Sequence, residues 1–396
     1  MHRCPAVMPE VPSCPHYYTP EHEQFRASLR SFVAREITPY VNEWDEAGGF
    51  PRELYRKAAA IGLLGLGYPQ AYGGTPADQF YRLIAAEELA RAGCGGVQAS
   101  LTSHNIALPP IVAVGSDAIK RRVLPPVLAG EKIAALAITE PSGGSDVANL
   151  KTSAVREGDR YVVNGEKIFI TSGMRADFLT VAVRTDPGAP GAEGISLLLI
   201  EGDTPGLTRS ELKKMGWWAS DTALLHFDNC CVPVANLIGQ ENRGFRAIMH
   251  NFNGERLGLA AMACGYAQVC LDEALAWARE RRTFGAPLSE RQVIRHKLVD
   301  MAMRIDAARA LLHELAYCVE HQLGDPKPLV ARICLLKNLA TQTMQFCADQ
   351  AVQILGGMGF MRGTRAERIY REVKVLMIGG GAEEIMKDLA AKQLGI

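Results

Sequence analysis

The sequence predicts an α+β protein built of three consecutive parts: a helical part, a strand-rich part and a second helical part. Apolar residues recur at three- and four-residue spacing over residues 19–130 and again over residues 241–396, which is the period of an amphipathic helix. Over residues 131–240, short runs of Val, Ile, Thr, Phe and Leu alternate with turn residues, as in strands. Helices and strands in separate blocks, without βαβ alternation, are typical of the α+β class. Residues 1–18 contain four prolines and are predicted to form a loose tail.

The first part begins with a helix whose start is marked in the sequence. Thr19 is a predicted N-cap, and Pro20 occupies the first helical position, where its missing N–H is no loss. Apolar residues then recur on one face of this helix. Gly and Pro residues separate it from three further predicted helices, at Arg52–Ile61, Asp78–Ala92 and Ser116–Leu124.

The second part is predicted to be a small β-domain. Asn164-Gly165 supplies the positive φ angles of a tight turn and stands between apolar runs at 161–163 and 167–171, so a hairpin is predicted there. Further strands are predicted at Phe178–Arg184, Ile195–Ile200 and Ala223–Phe227.

The third part is predicted to be a helical bundle. One apolar stripe runs along Leu288–Leu323, from Val293 to Leu315, and Pro328–Leu355 carries a similar stripe. Two long neighbouring helices of this kind normally pack antiparallel.

Charge and composition exclude several functions. The 396 residues carry 43 basic and 43 acidic side chains, so no net field attracts the protein to nucleic acid or to an anionic membrane, and neither partner is expected. The longest apolar run, Leu257–Leu271, falls short of the ~20 residues that a membrane span needs. Ten cysteines are scattered without any Cys-x-x-Cys, and no signal or transit peptide is recognised, so a bacterial-type cytoplasmic protein is expected.

Common cofactor and metal motifs are missing from the sequence. No G-x-G-x-x-G follows a strand, no G-x-x-x-x-G-K is present, and no H-E-x-x-H or similar spacing would hold a metal. A Rossmann nicotinamide enzyme, a P-loop ATPase and a common zinc hydrolase are therefore not expected, and no metal site is predicted.

Three segments carry patterns more specific than packing requires. Leu136–Val147 is a strand that runs into a Gly/Ser-rich loop, which can offer backbone N–H groups to an anionic or heteroaromatic ligand, although an ordinary turn has the same composition. Lys167–Gly173 places Phe169 and Thr171 on one side of a strand, either for a ligand or for cross-strand packing. Gln353–Phe360 has three glycines at a helix end, where a plain terminus accounts for one.

These segments, together with Ser220–Ala223 and Arg281–Gly285, resemble the acyl-CoA dehydrogenase family of flavoproteins in order and spacing, from about Thr19 to Ile396. The resemblance implies a helical N-terminal domain, a β-barrel-like middle domain and a C-terminal four-helix bundle, assembled as a homotetramer that is a dimer of dimers. It also implies FAD as cofactor, an acyl-CoA thioester as substrate and an electron-transfer flavoprotein as electron acceptor. The implied reaction is α,β-dehydrogenation, in which a carboxylate removes the α proton while a hydride leaves the β carbon for the flavin.

The same resemblance implies which residues bind FAD. Those placed along the flavin and its edge are Leu136, Ala137, Ile138, Thr139, Ser145, Phe169, Ile170, Thr171, Ala382 and Glu384. Those placed at the pyrophosphate and adenosine, partly across a subunit interface, are Arg281, Thr283, Phe284, Gln292, Gln353, Ile354, Leu355, Gly356 and Gly357. Phe169 stands where many relatives have Trp, and Ala382 lacks a hydroxyl that relatives commonly direct at the flavin.

The catalytic base departs from the commonest family pattern. Many relatives place a glutamate in a Glu-Gly-Thr segment near the C-terminus, and the matching position in this chain is Gly380, which cannot take a proton. A second branch, typified by isovaleryl-CoA and long-chain acyl-CoA dehydrogenases, places the glutamate before an arginine at the start of the first bundle helix, and Glu255-Arg256 matches it. Glu255 is therefore the predicted base, although an acid in a first helical turn can also serve the helix dipole. Gly380 keeps its backbone N–H as a predicted donor to the thioester oxygen.

Substrate contacts are predicted from the same resemblance at Gln98, Ser145, Asn253, Arg256 and Gly380. Small residues follow Gln98 in the helix that forms the floor of the acyl pocket in relatives, which favours a medium, long or branched chain. His104 is a structural histidine or a substrate ligand, and Trp217-Trp218 covers the site entrance or packs between domains. Two alternative functions stay open: a family oxidase, and a non-catalytic flavin-fold scaffold or assembly protein.

Overall fold

A computed structural model of the chain describes residues 16–396, except for the side chains of residues 250–253. Helices fill the first part, a mixed sheet the second and helices the third, which confirms the predicted α+β class. No helix in the described part of the chain is long and apolar enough to cross a lipid bilayer. Of the predicted tail, residues 1–15 lie outside the described residues. Tyr18 is buried, with its hydroxyl 2.9 Å from Nε2 of His313 in the third part, so packing begins before Thr19.

The first part consists of helices α1 (Pro20–Glu36), α2 (Val41–Ala47), α3 (Glu53–Ala60), α4 (Gln79–Ala90), α5 (Gly95–Leu101), α6 (His104–Ala107), α7 (Pro109–Val114) and α8 (Asp117–Leu128). Thr19 caps α1, as predicted: its hydroxyl accepts a bond from the N–H of His22, and its own N–H donates to the His22 ring at 3.0 Å. We predict the end of α8 at Leu124, but the helix continues through two prolines to Leu128, whose buried side chain packs the last turn into the core.

The second part is a mixed sheet within the described residues. Its strands are β1 (Ala134–Ala137), β2 (Ser153–Glu157), β3 (Arg160–Thr171), β4 (Phe178–Arg184), β5 (Ile195–Glu201), β6 (Leu207–Glu211), β7 (Thr222–Pro233) and β8 (Leu237–Ile238). Hydrogen bonds order them β6-β7-β3-β2-β4-β5-β8, with β1 parallel to β4. A single parallel pair, Ser153 with Arg184, joins β2 to β4, and strands on both sides of this junction bury side chains in one core. Strands from both halves of the sheet therefore share one hydrophobic core.

The hairpin predicted at Asn164-Gly165 is wrong. Both predicted strands belong to one continuous strand, β3, which pairs antiparallel with β7. The pairing slips beside Asn164, where β7 carries the extra residue and Asn229 adopts φ +49°. This Asn-Gly pair lies opposite a bulge and makes no turn, because the backbone tolerance that suits a turn also suits an irregular strand.

The third part is a helical bundle with long antiparallel helices. Its elements are α9 (Gly244–Glu280), β9 (Arg282–Thr283), β10 (Ala286–Pro287), α10 (Gln292–Glu320), α11 (Pro326–Leu355), α12 (Gly357–Phe360), α13 (Arg365–Ile378) and α14 (Glu383–Leu394). The predicted stripe on α10 is buried from Leu298 to Leu315, whereas Val293, at its start, is 60 % exposed. α10 and α11 run antiparallel, since the start of α10 contacts the end of α11 through Lys297 and Gln350.

Buried ion pairs and a buried hydrogen bond join the first part to the third. Arg368 and Arg371 of α13 both pair with Asp45 of α2, at 3.4 and 3.0 Å. Glu372 of α13 accepts a hydrogen bond of 2.8 Å from the N–H of Gly95 at the start of α5. Burial raises the pKa of the Glu372 carboxyl to about 8. Because each pair links helices of different parts, these contacts fix the first part against the bundle.

Candidate active site

The predicted base and the predicted thioester donor lie beside each other. Glu255 stands on α9, and Gly380 lies in the loop between α13 and α14. A Cβ built on Gly380 would stand 3.8 Å from Oε1 of Glu255. Nε of Arg256, the residue after the base, lies 3.4 Å from the carbonyl oxygen of Gly380. The structure thus brings together three predicted site residues from segments that are distant in sequence.

The surroundings of Glu255 make its carboxylate a stronger base than a solvated one. Its side chain is half-buried, and burial raises its pKa to about 7 against the lowering effect of the positive charges of Arg256 and Lys337. At neutral pH such a carboxyl is deprotonated in about half of the molecules, and it holds a captured proton more tightly than an ordinary glutamate does. Both properties suit a group that accepts a proton from carbon.

The loop around Gly380 has a backbone that favours glycine. Gly380 adopts φ +67° and Gly381 φ +112°, values that L side chains rarely take. A Cβ on Gly380 would also stand 2.5 Å from Cδ1 of Leu259. A side chain at this position would strain the backbone and displace the end of Leu259, and with glycine there the position offers only a peptide N–H and C=O.

Hydrogen bonds join two further segments of the predicted site: the residues that follow β1 and the last residues of β3. The N–H of Ile168 donates to the carbonyl oxygen of Thr139 at 2.8 Å. Nζ of Lys167 donates to the carbonyl oxygen of Ile138 at 2.9 Å and forms a buried ion pair with Glu140 at 2.8 Å. These bonds lock the two segments into one unit that carries the predicted flavin residues of both.

Exposure divides the predicted flavin residues of this unit. Ala137, Ile138 and Ile170 are buried, Leu136, Thr139 and Thr171 are half-buried, and Ser145 and Phe169 are exposed. Phe169 is 66 % exposed because a bulge in β3 against β7 turns it outward at φ +62°. Positive φ in a bulky residue is an outlier of the kind that clusters at functional sites. The exposed ring offers an apolar face to a heteroaromatic ligand.

The remaining predicted nucleotide residues form a separate group at the far end of α9. Arg281, Phe284, Gln292, Gln353, Gly356 and Gly357 are exposed, Thr283 is half-buried, and Ile354 and Leu355 are buried. The β9–β10 turn carries Phe284, 98 % exposed at φ +49°, and Nη2 of Arg291 donates to the carbonyl oxygen of Thr283 at 2.7 Å. Apart from the adjoining backbone and the two neighbouring residues, no atom of the described residues lies within 4 Å of a Cβ built on Gly356 or Gly357, so a ligand can approach the backbone there.

α9 separates this group from the predicted base. The helix has 37 residues, with Glu255 in its first third and Arg281 directly after its end. At ~1.5 Å per residue, the two positions stand about 39 Å apart along the helix axis. The base and the Arg281 group of one chain therefore cannot face the same small ligand.

Ala382 and Glu384 stand at the start of α14. Ala382 precedes the helix without a side-chain cap bond, and Glu384 is exposed in the first turn. Asn338 of α11 supports this segment, because its Nδ2 donates to the carbonyl oxygen of Glu383 at 2.9 Å. Both predicted residues therefore border the loop of Gly380.

The structure does not support the substrate contact predicted for Gln98. Its side chain is buried, its Nε2 donates to the carbonyl oxygen of Ala86 at 3.0 Å, and its Oε1 accepts from the hydroxyl of Tyr266 at 2.7 Å. A buried amide with both ends engaged is a packing element, in this case of the junction between α4, α5 and α9. The side chain of Asn253, another predicted substrate contact, lies outside the described residues.

His104 and the second tryptophan of the predicted pair have structural contacts. Nε2 of His104 lies 2.9 Å from the carbonyl oxygen of Leu64, and burial lowers the pKa of the ring to about 4, so it is neutral at pH 7. The guanidinium groups of Arg362 and Arg371 lie over the ring of Trp218 at 4.2 and 3.9 Å. These contacts favour the structural alternative for His104 and interdomain packing for Trp218.

Lys337 is a site residue that the sequence analysis did not identify. It lies in an apolar run of α11, is fully buried and donates hydrogen bonds into the loop of Gly380. A single charged residue at a position where the helical period requires an apolar one is the signal that could have revealed it.

Comparisons with known proteins agree with one another. Family models of the acyl-CoA dehydrogenase N-terminal, middle and C-terminal domains match residues 19–131, 135–230 and 242–395. An acyl-CoA dehydrogenase of Bacillus subtilis is 36 % identical over 380 residues, which are 96 % of this chain and 99 % of that protein. The mitochondrial long-chain specific acyl-CoA dehydrogenase of Rattus norvegicus is 36 % identical over 380 residues, 95 % of this chain and 87 % of that protein.

Solved structures of similar proteins share the fold. A crystal structure described as an acyl-CoA dehydrogenase of Mycobacterium smegmatis matches with a TM-score of 0.93 at 46 % identity, over 96 % of this chain and 99 % of that one. A glutaryl-CoA dehydrogenase of the same species, solved in complex with FADH2, gives a TM-score of 0.89 at 27 % identity, over 96 % of both chains. The likeness extends through all three parts of the chain.

Proposed function

Because the chain belongs to the acyl-CoA dehydrogenase family of oxidoreductases, we propose that it dehydrogenates an acyl-CoA thioester to the trans-2-enoyl-CoA with Glu255 as the base. The observation that carries the proposal is the position of the Glu255 carboxylate, 3.8 Å from where a Cβ of Gly380 would stand. A carboxylate on α9 therefore reaches the space that a side chain at position 380 would enter. In this chain, Glu255 supplies the acid and Gly380 supplies the peptide N–H.

The proposed reaction begins when Glu255 removes the α proton of the substrate. An ordinary carboxylate is too weak a base to remove a proton from a C–H bond. Burial raises the pKa of Glu255 to about 7 and so reduces the difference between the pKa of the base and that of the α C–H group. The N–H of Gly380 donates to the thioester carbonyl oxygen, which makes the α carbon more acidic. The guanidinium of Arg256 approaches the Gly380 carbonyl oxygen at 3.4 Å and steadies this peptide group.

We propose FAD as the cofactor. When bound, it supplies a two-electron acceptor for the hydride that leaves the β carbon. The residues present fit this group, since the bulge in β3 turns the Phe169 ring outward at positive φ and leaves it exposed beside half-buried Thr171. The buried pair of Lys167 and Glu140 holds the segments that carry these side chains.

We propose that a second copy of the chain completes each cofactor site within a homotetramer that is a dimer of dimers. The Arg281 group stands ~39 Å along α9 from the base of its own chain, so it would bind the nucleotide end of a cofactor whose flavin end another copy holds. The same bundle exposes large apolar side chains that a neighbouring copy could cover, among them Val299 at 65 %, Met303 at 59 % and Phe360 at 86 %.

We propose a medium, long or branched acyl chain as substrate and an electron-transfer flavoprotein as electron acceptor. The place of Glu255 on the first bundle helix supports this substrate range, because it matches the branch typified by isovaleryl-CoA and long-chain acyl-CoA dehydrogenases. The similarity to the long-chain specific enzyme of Rattus norvegicus supports the same range.

Anaerobic addition of acyl-CoA to the purified holoprotein tests the proposed function. We expect the absorbance of the oxidised flavin to fall, fastest with a medium, long or branched member of a thioester panel, because hydride transfer reduces the flavin. Absence of bleaching with every thioester would overturn the proposal and favour the non-catalytic scaffold. Reoxidation by air at the rate of turnover, with release of hydrogen peroxide, would identify a family oxidase instead.

The rate of this reduction should rise with pH near neutrality. Because the pKa of Glu255 is raised to about 7, its carboxyl is protonated and inactive below this pH and deprotonated above it. Stopped-flow rates at limiting acyl-CoA should therefore increase about tenfold per pH unit below the midpoint and level off above it. A rate already on its plateau at pH 5 would contradict the raised pKa.

A further inference from the structure

Lys337 of α11 is fully buried and binds the backbone next to the proposed thioester donor. Its Nζ donates to the carbonyl oxygen of Met377 at 3.0 Å and to that of Gly381 at 2.7 Å. Met377 lies in the last turn of α13, and Gly381 directly follows Gly380. One ammonium group therefore binds the chain on both sides of Gly380.

The glycine segment that Lys337 binds needs an outside support. Gly379–Gly381 has no side chains to anchor it, and glycine loses more conformational freedom on ordering than any other residue. The last carbonyl groups of α13 also lack partners within the helix, and a cation is favoured at that end by the helix dipole. The ammonium of Lys337 meets both needs at once.

The charges around Lys337 connect it to the proposed base. The charged and titratable groups that face it are Arg256, Glu383, Cys334 and Glu255. Burial lowers the pKa of Lys337 to about 8, so the ammonium form predominates at neutral pH. Arg256 approaches the Gly380 carbonyl oxygen as well, at 3.4 Å. Two cations thus hold three carbonyl groups around the Gly380 peptide.

We propose that Lys337 is a positioning residue for the reaction: it fixes Gly379–Gly381 so that the Gly380 N–H points at the thioester oxygen, and it sets a positive charge near Glu255. The proposal rests on the function proposed above for Glu255 and Gly380. The charge favours the deprotonated carboxyl, since Lys337 lowers the pKa of Glu255 while burial raises it. Without the ammonium group, the glycine segment loosens and Glu255 loses its proton less readily.

Amide hydrogen exchange of the holoprotein tests the structural half of the proposal without substrate. In Lys337→Met, the peptide spanning residues 374–382 should exchange about 10-fold faster than in the wild type, because two charge-assisted hydrogen bonds to it are lost. Thr343→Val is the control, since it removes a buried hydroxyl of α11 that has no hydrogen-bond partner among the described residues. It should leave this peptide unchanged. Equal exchange in Lys337→Met and the wild type would overturn the proposal, whatever the activity.

Flavin reduction tests the catalytic half. At saturating acyl-CoA, Lys337→Met should be reduced about 10- to 100-fold more slowly, with the dissociation constant changed less than about threefold, because a misplaced donor affects the transition state more than binding. Its pH profile should move to higher pH. Lys337→Gln keeps two N–H donors without the charge, so it should retain more of the rate and still show the shifted profile. If Lys337→Met does not fold, the rate and the pH profile of Lys337→Gln are compared with those of the wild type instead.

The two proposals fail in different ways. A wild-type protein that no acyl-CoA reduces contradicts the proposed function and the catalytic half of this inference, while hydrogen exchange still decides whether Lys337 holds the glycine segment. If acyl-CoA reduces the wild-type protein and the Lys337 variants at the same rate and with the same pH profile, the proposed role of Lys337 is contradicted. The proposed function is then unaffected.

Discussion

Replacement of Glu255 by glutamine should slow the reduction of the flavin by acyl-CoA by at least about 10³-fold. Glutamine keeps the length of the side chain and can form hydrogen bonds, but it cannot accept a proton at neutral pH. The alternative position for an acid is Gly380, which has no side chain to replace the lost carboxylate. Binding of acyl-CoA should change less than about threefold, because the base acts on the α C–H bond and contributes mainly to the transition state.

Anaerobic stopped-flow absorbance and equilibrium titration with acyl-CoA measure these two effects separately. Glu314→Gln is the matched control, since Glu314 is an exposed acid on α10 that pairs with Arg332, and it should show wild-type rates. A Glu255→Gln variant reduced at the normal rate would remove Glu255 as the base. A variant that no longer binds acyl-CoA would assign Glu255 to substrate binding instead.

Replacement of Lys167 by methionine should lower the free energy of unfolding by about 3–5 kcal/mol. Lys167 is fully buried, and its ammonium forms an ion pair of 2.8 Å with Glu140, which is also buried. Loss of the lysine leaves that carboxylate in the interior without a counter-charge. The hydrogen bond from Lys167 to the Ile138 carbonyl oxygen is lost as well, so the unit that carries Phe169 loosens and FAD should dissociate more readily.

Urea unfolding measures the stability of this variant, and fluorescence of free flavin measures the release of the cofactor. Lys132→Met is the control: it removes an ion pair of 3.1 Å with Asp177 in which the lysine is 49 % exposed, and it should cost less than about 1 kcal/mol. Equal losses of stability in the two variants would show that burial does not make the Lys167 pair the more costly one to break.

The sequence predicts elements well where neighbouring residues decide the structure. The cap at Thr19 and the buried stripe of α10 depend on spacing within one helix, and both are present. The prediction of a hairpin at Asn164-Gly165 was wrong, because pairing with a second strand, β7, decides whether this dipeptide forms a turn or lies within a strand opposite a bulge. Such a partner is remote in sequence and leaves no mark in the local pattern.

The site residues are predictable to the extent that their sequence segments resemble those of a known family. Glu255 and Gly380 could be named from their segments, but their separation depends on how α9 packs against the end of α13. The substrate contact of Gln98, which rests on the resemblance, stays a prediction that the structure does not support, because its amide is engaged by Ala86 and by Tyr266, which stands on another helix. Lys337 was missed because it acts on backbone carbonyl groups, which look the same in every sequence.

The length of α9 ties retention of the cofactor to the concentration of the protein. If the base end and the Arg281 end of this helix serve different cofactors, as proposed, each bound FAD is a cross-link between chains. Cofactor binding and subunit association are then thermodynamically linked. Dilution therefore releases flavin by mass action, and excess flavin drives the chains together. A stored, dilute sample would lose its bound flavin and its quaternary structure in the same step.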